Sequence, residues 1–126
     1  MTPNAEARAG YGAAAAPIRT ARGAEYAVFA RVTGNLRAVE ETDKRAYPQL
    51  AQAVIDNQRL WSTLAEDLML ETNVLPVALR AQLISLAEFV RRHSLSVLRG
   101  QGKVAALIDI NTAIMRGLRG EVEAAA

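Results

Sequence analysis

From Ala24 onward the apolar residues of this chain recur at steps of three and four, in stretches separated by turn-forming residues. Phe29, Val32, Leu36 and Val39 follow one face of a 3.6-residue period, which predicts a helix over 24–41. Leu50, Val54, Asn57, Trp61, Leu64 and Leu68 keep the rhythm of a packing seam with one polar member, and Pro48 suits the first turn of that helix, predicted over 48–70. After a turn at 71–75, Pro76 opens a third helix to Arg99, whose Leu79, Leu83, Leu86, Val90, His93 and Val97 repeat the same stencil, with Ile84, Ala87 and Leu98 widening it. Gly100-Gln101-Gly102 supplies a glycine stop. A last helix over 103–119 then carries Val104, Leu107, Ile108, Asn111, Ile114, Met115 and Leu118.

Two consecutive helices with matched seams pack antiparallel, and short connections extend that to the other two. The expected fold is all-α, a small up-down bundle of about four helices forming one domain over 24–120. Gly34, inside the first helix, is expected to mark the close approach of a neighbouring helix rather than a hinge. Residues 1–23 are rich in Ala, Gly and Arg and are cut by Pro3, Gly10, Gly12, Pro17 and Gly23, which predicts a mobile arm; residues 121–126 are expected to fray.

Charge sharpens this division. The pI of 9.4 suggests a basic protein, but the net charge is only +2. Three of the 15 basic residues (Arg8, Arg19, Arg22) and one of the 13 acidic ones (Glu6) precede Ala24, leaving twelve of each in the folded part. A neutral body lacks the clustered cations that displace counterions from phosphates, which argues against a nucleic-acid groove. Arg91, Arg92 and Arg99 come nearest, and Glu88 one turn before the first two makes them a solvated helix face. With no Cys, disulfides and thiolate metal sites are excluded. The start has no basic n-region and no run nears the ~20 apolar residues of a membrane span, so a cytoplasmic location without membrane insertion is expected.

Candidate chemistry points to binding rather than catalysis. His93 is the sole histidine, lies on an apolar stripe, and is expected to be satisfied in the packing, with Asn111 at similar depth as one partner. Glu66, Asp67 and Glu71 read as a solvated acidic face, not a metal cluster. No catalytic residue, metal or cofactor is expected. Asn57 and Asn111 fix register within a seam or orient a bound helix; Trp61 is a core anchor or an interface residue. Leu60 and Ile110 fall beside their stripes and either widen the buried face or leave an apolar patch. The candidate groove for a partner helix is Asn57, Leu60, Trp61, Arg80, Asn111 and Met115, with Arg80 suited to a carboxylate or a helix C-terminus.

Asn57-Gln58-Arg59-Leu60-Trp61, Leu75-Pro76 with Arg80, the run from Ile84 to Val90, and Ile108-Asp109-Ile110-Asn111 leading to Ile114-Met115-Arg116-Gly117-Leu118 carry a resemblance. In these phrases, from Glu25 to Gly120, the chain resembles the flagellar biosynthesis regulator family FlaF. The resemblance implies a cytoplasmic, non-enzymatic protein that promotes flagellin production, binding flagellin before export and working with the opposing regulator FlbT. A rival of another class is contact with flagellin mRNA through Arg8, Arg19 and Arg22, with Tyr11 available for base stacking.

Overall fold

The computed structural model describes residues 26–125, and the side chains among them as far as residue 117; the expected arm over 1–23 lies outside the described residues. The described chain is all-α, as the periodicity predicts. It contains α1 over 26–38, a 3₁₀ turn at Lys44–Ala46, α2 at Tyr47–Leu68, α3 at Val77–Leu98 and α4 at Val104–Ala125. The chain divides into two compact units, one of Asn35–Ile108 and one joining the chain up to Gly34 with that from Asp109 onward.

In the unit Asn35–Ile108, α2 and α3 form an antiparallel pair whose helix ends satisfy one another. A helix leaves its last four carbonyls without intrahelical donors. In α2, Met69 N–H reaches Ala65 and Glu66, Leu70 N–H reaches Asp67, and the Arg80 guanidinium closes Leu68 O at 3.1 Å from Nε. In α3, Arg99 N–H takes Leu95, Gly100 N–H takes Val97, Gln101 and Gly102 both take Ser96, and the Tyr47 hydroxyl donates to Leu98 O at 2.9 Å. The α3 exit is a Schellman turn: Gly100 has φ +77°, which a side chain would strain.

Gly102 is required for space rather than conformation. A Cβ there would lie 3.0 Å from His93 Cε1 and 3.0 Å from Ser96 Cβ. The α4 start that follows has a lysine, Lys103, in front of it, and its cap comes from elsewhere: Glu41 Oε2 accepts from Val104 N at 2.9 Å. The anion at the positive end of the helix adds a dipole contribution.

Helix bounds depart from expectation where charge and propensity act. α1 stops at residue 38, short of Glu41, because Glu40, Glu41 and Asp43 would place carboxylates at its negative end. α4 passes Gly120, since one glycine costs only ~1 kcal/mol and Glu, Val and Ala follow. The buried faces of α1 and α2 follow the predicted stripes at Phe29, Val32, Leu36, Leu50, Val54, Asn57, Trp61 and Leu68. In α3 the face is turned. Ala87, Val90, Ser94 and Val97 are buried, whereas Leu79 is exposed and Leu86 and His93 are half-buried. Small residues at 87 and 94 allow the helices to approach closely, and the larger apolar residues point outward.

The expectation for Gly34 is overturned, because a Cβ on it meets nothing within 4 Å. Gly34→Ala is therefore expected to stabilise the chain by about 1 kcal/mol through helix propensity. Gly102→Ala should destabilise by a similar ~1 kcal/mol as His93 is pushed off its hydrogen bond. Urea unfolding of the two variants should move the midpoint in opposite directions.

Candidate functional site

Along one side of the α2–α3 pair runs an open groove of about 580 Å³. Its α2 wall follows from helical spacing: Val54, Gln58 and Ser62 stack at steps of four, and Ile55 and Arg59 form the adjacent row. Arg91, Leu95 and Leu98 face them from α3, above Ser94. The walls are apolar and accessible, with Ile55 39% and Leu95 42% exposed. The floor is polar. Ser94 is 3% exposed and its Oγ has no hydrogen-bond partner, and neither has Gln58 Oε1.

The rim is cationic. Arg91 binds Glu88 through Nη2 at 2.6 Å and Nε at 3.1 Å, with Arg92 Nε 3.7 Å from the same carboxylate, the solvated face expected from the sequence. The Arg91 hydrogen bonds, with its charge and that of Arg92, hold the Glu88 carboxyl below the usual glutamate value, and Glu88 in turn raises Arg91. Arg59 is exposed and makes no ion pair among the described residues. The groove lining contains two arginines and no carboxylate.

The six candidate contact residues do not form this groove. Asn57, Trp61 and Asn111 are 0% exposed, so their side chains are packing groups with no surface to offer a partner in this state. Asn111 donates its amide to Thr33 Oγ1 at 3.1 Å, within the unit that Thr33 and Asn111 share. Leu60 and Met115 are half-buried. Arg80 binds a helix C-terminus as its chemistry predicts, but the helix is the chain's own α2. Asn57, Leu60, Trp61 and Arg80 belong to one unit, and Asn111 and Met115 to the other. His93 does not pair with Asn111. Its Nε2 lies 2.8 Å from Lys103 O, so that nitrogen carries the proton, and its ring stacks on Phe89 at 5.4 Å and 11°.

Elsewhere, Met69, Leu70, Val74 and Val77 are exposed around the α2–α3 connection, and a second cavity of about 420 Å³ lies beside Glu41, Tyr47 and Gly102. Among the described residues no His, Cys, Asp and Glu group is placed to hold a metal, and no helix is long and apolar enough to cross a membrane.

The sequence pattern of the flagellar protein FlaF family matches residues 7–118, which span all the described elements through most of α4. The chain belongs to this family. No curated protein and no solved structure matches it. Within this FlaF chain, the groove takes Gln58 and Arg59 from the same phrase that supplies the buried Asn57 and Trp61. Ser94 was hidden by its polarity, since a serine is not counted in an apolar stripe. Its signal was spacing, because Ala87, Val90, Ser94 and Val97 also follow the i, i+3, i+7, i+10 rhythm.

A buried hydroxyl without a partner carries an uncompensated desolvation cost, and Ala is the better helix former. Ser94→Ala should accordingly stabilise the free chain by about 1 kcal/mol, raising its thermal midpoint. Glu88 should titrate below the ordinary glutamate value by carbon-detected NMR, so its ion pair persists down to the usual carboxylate range and is lost as the pH falls through the lowered value. Arg91→Ala should return the midpoint toward that ordinary value; no movement would mean the pair does not persist in solution.

Proposed function

We propose that the chain is a non-enzymatic, cytoplasmic regulator of flagellum biogenesis. It holds a helical segment of flagellin in the manner of a secretion chaperone and promotes flagellin synthesis and export, acting with FlbT. Membership of the flagellar family supports the process. The observation that carries the mode of action is the accessible apolar wall of Ile55 and Leu95 along two parallel-lying helix faces, a surface suited to a third amphipathic helix.

Burial of such a helix gains ~25 cal/mol per Å² of apolar area before ordering costs, which gives useful and reversible affinity. Reversibility is needed of a factor that must release its cargo to an export machine. Calorimetric titration with the flagellin of the same organism, at low and high salt, tests the reading. Saturable binding that largely survives high salt and has a negative heat-capacity change is expected. Absence of binding at both salts overturns it. Binding that appears only with flagellin mRNA and falls steeply with salt would replace it with the nucleic-acid reading.

A further inference from the structure

The α2–α3 groove has apolar walls, and two polar atoms beneath it are buried without hydrogen-bond partners. Gln58 gives its amide N–H to Ser62 Oγ at 3.2 Å, which leaves Oε1 facing inward without a donor. The Ser94 hydroxyl, in the same groove, has neither donor nor acceptor. Buried polar groups are seldom left so, and two of them on one floor are accounted for when a bound group supplies the bonds.

The chemistry of that group is narrow. Gln58 Oε1 can only accept, whereas the Ser94 hydroxyl donates as well as accepts. A hydroxyl or a carboxamide can do both, and of the two the carboxamide carries its donor and its acceptor on separate atoms, which suits two separate floor groups. A carboxylate has no proton for Gln58, and an ammonium or guanidinium group would enter beside Arg59 and Arg91. Around this centre Ile55, Leu95 and Leu98 call for aliphatic side chains, and on the rim Arg59, which has no ion pair among the described residues while Arg91 is held by Glu88, calls for an acid group. From Val54 to Thr63 the α2 wall rises about 14 Å, the length of some two and a half turns of a docked helix.

We propose that this groove receives an amphipathic helix whose apolar face carries a single Asn or Gln and whose flank carries carboxylates. The inference rests on the flagellin reading for the source of that helix and adds the chemistry by which it is chosen. Seating the partner parts the groove enough to uncover these two buried atoms and then satisfies them, and Ser94 trades stability of the free chain for recognition.

The test uses the full chain, isotope-labelled for NMR, and synthetic helical peptides with a Leu-rich face, a central Asn on that face and Glu along one flank. Two control peptides change the Asn to Leu or the Glu residues to Lys. The Asn/Glu peptide should shift the resonances of residues 54–63 and 91–98 and bind at least tenfold more tightly than either control. Ser94→Ala should abolish the preference for Asn over Leu, and Arg59→Glu, an exposed change that leaves the packing untouched, should reverse the preference for Glu over Lys. Equal binding of the three peptides, shifts confined to the 69–79 connection, or no binding overturns the proposal. So do groove shifts that grow with protein concentration before any peptide is added, since a second copy is then the occupant.

Flagellin titrated against the same variants separates this from the broader reading. If flagellin binds the parent chain, Ser94→Ala and Arg59→Glu alike, the groove is wrong and the flagellin reading stands. If peptide selectivity holds and flagellin does not bind, the groove is right and its helix comes from another protein.

Discussion

A helix that ends inside a packed pair must find donors for its last carbonyls, and in this chain each member of the pair supplies the other's missing one. Arg80, in the opening turn of α3, closes Leu68 at the end of α2, and Tyr47, at the start of α2, closes Leu98 at the end of α3. Both bonds exist together only when the helices run antiparallel in this register. A slip of one residue turns a helix by about 100° and presents a different row of side chains. The rows that make the groove, Val54–Gln58–Ser62 on one side and Arg91–Leu95 on the other, therefore depend on these two clips as much as on the apolar contact between the helices.

The contact itself is made by small groups. Ala87 and Ser94 face inward on α3, and Leu95 and Phe89 are turned toward solvent. Stability and exposure are thus two results of one rotation. A more apolar inward face would bury Leu86 and His93 more fully and leave fewer apolar side chains outside. The chain instead keeps an accessible wall beside a pair of helices whose final carbonyls are already closed.

The four helices and two of their buried faces were legible because periodicity reports which side of a helix avoids water, and α1 and α2 have large apolar residues at every turn of that side. The face of α3 was not, because a stripe drawn through its leucines passes over Ser94, and close packing favours the small residue over the greasy one. The site was half legible. The phrase containing Asn57 and Trp61 does contribute to the groove, but through Gln58 and Arg59, one helical step to the side of the residues that attract attention. Arg80 has the chemistry of a helix-end ligand in the sequence, and only the fold says whose helix end it binds. Gly34 resembles a contact glycine in sequence, yet the space beside it is empty.

The start of α4 is not written in its own neighbourhood. Its first N–H is held by Glu41, 63 residues earlier in the chain, while Lys103 immediately ahead of it carries the wrong charge for a helix beginning. The starting point of the last helix is thus defined only where the turn after α1 and the exit of α3 are held together, as they are when the α2–α3 hairpin is closed. The hairpin is built from neighbouring segments and needs little loop closure. Glu41 thereby ties the origin of the C-terminal segment to the assembled α2–α3 hairpin: where the hairpin is not closed, that origin has no cap.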